Sequence, residues 1–458
     1  MPGATAQAVP AEFASRLAQA VMWHRAGRIS EAKAEYTALL AIAPEHGWTN
    51  YFRGMLAEAE GEMALARRFL RTAAKSPGAP PQFLVGLGNL ELAGGDAHDA
   101  AAAFEAAITA RPDFAAAHTG HCLALKRLDR LESAVAASRD ALALRRGWRP
   151  GMVDPPGFVD PGERAVMRQA NRVKLRHDLE QLSYLRETGI VSAEIDEILC
   201  GFEALRARYA ALCDETVLIP LSNDDLALTG YAYNRLLHLT DAPADKQRAL
   251  GPNALFAAAD AAFAMNHPPV AVVDDALSPS ALCRLQELLT ASTIWFEVKD
   301  HGGHVGTYFE EGLGCGLTVQ IANELRLSLR HALAGRRLTQ LWAYKYQQGL
   351  AGTDLHADVG EVSVNLWVTP DSANLDPEGG GMEIYPLAAP ENWDFGQINV
   401  DREQMRRLVA ARQCQPARIP YRCNRMVIFA ARLLHRTMAG TFSERYQDRR
   451  INMTFLFA

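Results

Sequence analysis

The chain has 458 residues, of which 49% are hydrophobic and 22% charged, and carries a formal net charge of -6. One hydrophobic core stops growing at about 250 to 300 residues, so two or three domains are expected. The mild acidity gives no reason to expect a nucleic-acid partner, and no run of about 18 apolar residues predicts a membrane span.

The N-terminal stretch "MPGATAQAVPAEF" lacks a charged segment followed by an apolar one. No signal peptide is therefore expected, and the expected compartment is the cytoplasm. The seven cysteines, Cys122, Cys200, Cys213, Cys283, Cys315, Cys414 and Cys423, form no CxxC spacing. An odd, scattered set argues against a zinc knuckle or a disulfide framework and fits small apolar residues in a reducing compartment.

From residue 11 to 146 the pattern is helical and repeats every 34 residues. Ala32, Ala66, Ala100 and Ala134 hold one position; Tyr36, Leu70, Phe104 and Ser138 a second; Leu39, Ala73, Ala107 and Ala141 a third. Gly27, Gly61 and Gly95 keep the same step, with Asp129 in the fourth place. Gly54 and Gly88 mark a small position on the first helix, Pro44 and Pro112 close the first and third repeats, and Pro77 falls one position early. This resembles the tetratricopeptide repeat, in which small residues let two helices approach while a large residue fills the neighbouring groove. The resemblance implies four stacked helical hairpins over 11–146, a capping role for the atypical fourth, and a concave surface that receives a peptide or protein. Support of a homodimer is the alternative use of such an array.

Residues 147–164 carry four prolines and four glycines and end the array. Helical pattern resumes over 165–214, with shorter helices expected in 223–240 and 253–265. The segment 147–266 thus reads as a linker and helical spacer. Its His177 and His238 have no ligand partner at helical spacing and read as packed or exposed residues.

Beyond "NHPPVAVVDDALSP", a short buried strand leading into a helix start, the hydrophobic period changes from 3.6 to 2. Strands are expected at 338–347, 361–369, 381–387, 425–430 and 451–458, separated by glycine-rich turns, a pattern that suggests a sandwich or jelly roll. His356 and Asp358 form an H-x-D pair, and His435 follows an apolar strand 77 residues after the aspartate. Two imidazoles and one carboxylate leave open positions on a metal and suit non-haem Fe(II), whereas a closed zinc site wants a fourth protein ligand.

The H-x-D pair, the distal histidine of "FAARLLHRT" and the arginine opening "RINMTFLF" together resemble the Fe(II)- and 2-oxoglutarate-dependent dioxygenases of the prolyl-hydroxylase-like branch, over about 268–458. The resemblance implies a double-stranded β-helix (jelly-roll) domain at 267–458 in a multidomain α + β chain. It also implies Fe(II) on His356, Asp358 and His435, with O2 and 2-oxoglutarate as co-substrates and ascorbate as a possible reductant. Arg450 matches the arginine that pairs with the distal carboxylate of 2-oxoglutarate, with Arg445 as the alternative; Asn452 stands where many members have serine, and Tyr346 matches a tyrosine that reaches the same carboxylate. A retained Asp358 implies hydroxylation or a related oxidation rather than halogenation.

Alternation puts Ser363, Asn365 and Trp367 on one strand face, and Glu383 and Tyr385 on one face of another. Asn365, Trp367, Glu383 and Tyr385 are the candidate substrate contacts. The loop 299–314, with His301 and His304 among glycines, reads as a lid, and 369–381 as a second loop flanking the pocket. The first functional reading is hydroxylation of a peptide or protein residue held by the repeats. The alternatives are a small-molecule hydroxylase, with the repeats serving dimerisation, and an inactive scaffold.

Overall fold

A computed structural model describes residues 12–192, 195–347, 349, 352–399 and 401–458. The chain forms two compact units, one reaching to Arg130 and the other spanning Leu131–Ala458.

The first unit is a tetratricopeptide-like solenoid of helical hairpins: α1 (Phe13–Arg25), α2 (Ile29–Ile42), α3 (Gly47–Ala59), α4 (Met63–Lys75), α5 (Pro81–Ala93), α6 (Ala97–Ala110) and α7 (Ala115–Arg127). The 34-residue positions are its core: Ala32, Tyr36, Leu39, Ala66, Leu70, Ala73, Ala100, Phe104 and Ala107 are all fully buried. The glycine positions divide into two physical kinds. Gly27, Gly61 and Gly95 turn each hairpin at φ 73°, 76° and 85°, and Asp129 takes the same left-handed place at φ 58°. Aspartate tolerates that conformation better than most side chains, so the turn survives without glycine. Gly54 and Gly88 are instead contact positions, where an added Cβ would lie 2.8 Å from Leu70 and from Phe104 respectively.

The helix completing the fourth repeat, α8 (Leu131–Arg146), belongs to the second unit. There Leu142 packs with Ile294 and Phe296, and Arg146 donates to the Asn234 carbonyl at 3.2 Å and pairs with Glu311 at 3.4 Å. The spacer begins with α9 (Pro161–Met167), α10 (Arg172–Glu187) and α11 (Asp196–Arg208), and the helix expected in 223–240 is limited to Asn223–Leu228. Left-handed backbone at Gly230, Tyr231 and Asn234 prevents its continuation. The spacer is not a separable body, since α10 packs against the sheet and its Gln181 donates to the Ser292 carbonyl at 2.8 Å.

The described strands are β1 (Gln169–Ala170), β2 (Ile219–Pro220), β3 (Val270–Val273), β4 (Glu297–Val298), β5 (His304–Tyr308), β6 (Leu338–Tyr346), β7 (Val362–Trp367), β8 (Met382–Ala388), β9 (Ala417–Ile419), β10 (Arg425–Ala430), β11 (Leu433–Thr437) and β12 (Ile451–Phe457). Apart from the short β1–β2 pair, they make a large antiparallel sheet in the order β3-β10-β7-β12-β6-β5-β4 and a small one in the order β11-β8-β9. Trp367, Val427 and Phe429 of the large sheet pack against Met382, Ile384, Ile419 and Leu433 of the small one, so a core lies between two facing layers.

The expected strand ends agree with these to within a residue or two. The lid expected at 299–314 is a correction, because His304–Tyr308 is strand β5, paired along β6 with His304 opposite Tyr346. Glycines on both sides of His304 conceal a strand that the neighbouring backbone completes.

Candidate metal centre

The site lies where two chain segments cross from one sheet to the other. One runs from His356 into β7; the other leaves β10, passes Ala431 and enters β11. They are joined by backbone: His356 and His435 exchange N–H···O bonds of 3.0 and 2.9 Å, and Asp358 N–H donates to the Ala431 carbonyl at 2.9 Å. This bridge brings together residues 79 positions apart and sets the two imidazoles with ring centres 4.2 Å apart, tilted 51° to one another.

Each ring is oriented from behind in the same way. Nδ1 of His356 lies 2.7 Å from the Asp354 carbonyl, and Nδ1 of His435 lies 2.8 Å from the Leu433 carbonyl. A carbonyl only accepts, so each Nδ1 carries the proton and each Nε2 presents a lone pair. The Asp358 carboxylate meets both, Oδ1 at 3.9 Å from one Nε2 and Oδ2 at 3.7 Å from the other. Ser363 Oγ donates to Oδ2 at 2.6 Å and fixes the carboxylate. Burial first, and the neighbouring His435 second, push the His356 imidazole down to about 4, so it is neutral and ready to ligate at neutral pH.

The donor atoms of His356, Asp358 and His435 lie within 4.8 Å of one another. Metal–ligand distances of about 2.0 to 2.2 Å put two ligands of one ion no more than about 4.4 Å apart, so a slight inward turn closes the set on a cation. Two imidazoles and one carboxylate with free coordination positions match the donor set of a mononuclear non-haem iron site. The residues present therefore fit Fe(II).

The three side chains open into a cavity with about 380 Å³ of empty space. Arg450, Tyr346 and Asn452 line it too. Arg450 is buried, its guanidinium 4.6 Å over the Tyr346 ring, with Nε donating to the Gly380 carbonyl at 2.5 Å. Its Nη1 and Nη2 make only 3.5 Å contacts, to Asn452 Oδ1 and the Gly381 carbonyl. Tyr346 Oη lies 2.9 Å from Thr353 Oγ1. Arg445 is 70% exposed and pairs with Asp448, outside the cavity. Arg449 points elsewhere, to Gln347 and Glu180.

Of the candidate substrate contacts, Asn365 and Trp367 line the cavity. Asn365 Nδ2 donates to Thr454 Oγ1 at 3.1 Å, while Asn365 Oδ1 and Trp367 Nε1 are buried with no partner among the described residues. Glu383 and Tyr385 are a correction. Met382 takes the cavity side of β8, so its neighbours face the other way. Glu383 pairs with Arg436 at 2.6 Å, and Tyr385 packs with Leu355, Ile398 and Met405. Trp342, Tyr344 and Thr454 also line the cavity. Their signal was present in the sequence, because 342 and 344 share a face with Tyr346, and 454 shares one with Asn452.

The fold and site thus define a chain with a helical-repeat unit and a two-sheet unit carrying a His-Asp-His cluster. No family model and no curated protein matches it. Solved structures similar to parts of the chain include MamA, at 16% identity over 31% of this chain and 75% of that one, with a TM-score of 0.28. A mutant O-GlcNAc transferase from Thermobaculum terrenum is similar at 24% identity over 30% of this chain and 26% of that one, with a TM-score of 0.28. YrrB, a TPR protein with an unusual peptide-binding site, is similar at 14% identity over 29% of this chain and 74% of its own, with a TM-score of 0.27.

Proposed function

We propose that the chain is an Fe(II)- and 2-oxoglutarate-dependent dioxygenase that hydroxylates a residue of a peptide or protein offered by the helical repeats. The observation that carries this reading is the opening of His356, Asp358, His435 and Arg450 into one cavity. The two facing antiparallel sheets are the architecture expected of a double-stranded β-helix. Iron held there by His356, Asp358 and His435 would supply the coupling of O2 reduction to the oxidative decarboxylation of 2-oxoglutarate and to C–H oxidation of the substrate. The chain's own part is to hold the donors, anchor the co-substrate and keep water out.

Arg450 suits the anchoring. Its fork is buried, stacked on Tyr346 and only weakly engaged at both terminal nitrogens, so a carboxylate replaces two poor contacts with two strong ones. Asn452 and Tyr346 flank the same place. Beyond them, Asn365 and Trp367 offer one unpartnered acceptor and one unpartnered donor to a bound molecule.

The test is succinate formation by Fe(II)-loaded protein with 2-oxoglutarate and ascorbate, in the presence of the macromolecular or the small-molecule fraction of host extract. Stimulation by macromolecules, lost in His356→Ala, supports the protein-hydroxylase reading. Stimulation by small molecules alone replaces it with a metabolite hydroxylase whose repeats serve assembly, and no succinate under either condition overturns the dioxygenase reading.

A further inference from the structure

On the spacer side of the Leu131–Ala458 unit, the proline-rich linker, α9 and the segment after Gly230 border a second, partly open pocket. Three arginines line it: Arg164, Arg168 and Arg235. Arg235 is 8% exposed, and its Nη2 donates to the Val153 carbonyl at 3.0 Å. Its Nη1 is buried with no hydrogen-bond partner among the described residues. A charged donor held out of water without an acceptor is costly, so Arg235 calls for a partner that the described residues do not supply.

The charges around it do not resolve the deficit. The carboxylate lining the pocket, Asp154, is paired with Arg164, while Arg168 donates to the neutral Asn223 Oδ1 at 2.8 Å. Burial pushes the Arg235 guanidinium down to about 10; Asp154 opposes that, and Arg164 and Arg168 reinforce it by repulsion. Three guanidinia against one carboxylate leave two positive charges over the cavity. Val153, Leu226 and Tyr231 supply apolar wall beside them.

We propose that this pocket binds the phosphoryl group of a small phosphorylated molecule, with Arg235 as the buried anchor and Arg168 closing on the same group from the rim. A phosphate dianion matches the net charge of the lining, and its oxygens accept from several guanidinia together. The apolar wall receives the remainder of the ligand. The site shares no lining residue with the metal-centre cavity and stands or falls independently of the dioxygenase reading.

The experiment is calorimetric titration of the full chain with inorganic phosphate and phenyl phosphate, using benzoate and sodium chloride at matched ionic strength as comparisons. Saturable binding of both phosphates is expected, tighter for phenyl phosphate. Arg168→Gln, changed at a partly exposed side chain, should weaken it at least tenfold, Arg235→Gln more, and His356→Ala not at all. Arg168→Gln decides the matter even if Arg235→Gln does not fold. Absence of saturable phosphate binding, wild-type affinity in Arg168→Gln, or equal affinity for benzoate overturns the proposal.

Discussion

Arg450 stacks on Tyr346 while its Nε is held by the Gly380 carbonyl, which fixes the plane of the fork before any anion arrives. Arg450→Lys keeps the charge but loses the plane and the paired donors. On the proposed function it should raise the 2-oxoglutarate KM at least tenfold, whereas Arg445→Ala, removing an exposed side chain, should leave it unchanged; titrating the co-substrate in the succinate assay compares them. His356→Ala and Asp358→Ala should each abolish stoichiometric Fe(II) binding in anaerobic equilibrium dialysis. Histidines away from the His356–Asp358–His435 cluster govern a different property. Burial pushes both His177 and His304 down to about 3. In the unfolded chain these groups titrate near 6.5, so between about 6.5 and 3 the unfolded state binds protons that the folded state refuses, and stability falls as pH falls through that window. Each should withdraw about 2 kcal/mol between pH 7 and 5. Urea unfolding at the two pH values measures the loss, which His304→Phe should reduce by one histidine's share.

Among the helical hairpins, two glycines test two mechanisms. Gly61 sits at φ 76° with nothing within 4 Å of an added Cβ, so Gly61→Ala should cost only the left-handed backbone penalty of about 1 to 2 kcal/mol. At Gly120 the added Cβ would lie 2.2 Å from the Phe104 ring. Overpacking of this kind costs about 1 to 3 kcal/mol or more, and only here should Phe104→Leu restore the loss in a double mutant followed by thermal melting. The repeat was legible because one chemistry returns every 34 positions. The strands were legible from alternation, but alternation names two faces without saying which is inward. Asn365 and Trp367 were thus placed on the cavity side while Glu383 and Tyr385, read by the same rule, lie on the far side of β8. Strand β5 was missed because His304–Tyr308 has little alternation of its own and owes its form to pairing with β6. The Arg164–Arg168–Arg235 pocket carried no sequence signal, since 71 positions separate its outermost arginines.

At the scale of the whole chain, the compact boundary lies at Arg130 and not at the end of the last repeat. A chain beginning at Leu131 should therefore melt cooperatively, and, on the proposed function, should lose turnover of a peptide substrate while keeping substrate-independent 2-oxoglutarate decarboxylation. A chain beginning at Gly147 removes Leu142 from the cluster with Ile294 and Phe296 and strips Arg146 from Glu311, whose carboxyl burial already pushes up. Breaking a buried pair on one side costs about 3 to 5 kcal/mol, so scanning calorimetry should find this shorter chain melting far below the other. The bridge between His356 and His435 has a thermodynamic meaning of the same reach. The two imidazoles hang on adjoining backbone strands that already exchange hydrogen bonds, so on the proposed function a cation entering between them finds its ligands assembled and has little ordering to impose. Ready-assembled ligands lower the dissociation constant, and a cation that binds only the folded chain raises its resistance to unfolding by about 2.7 kcal/mol at a hundred times that constant. Loading with metal and thermal endurance become one quantity, measurable without any turnover.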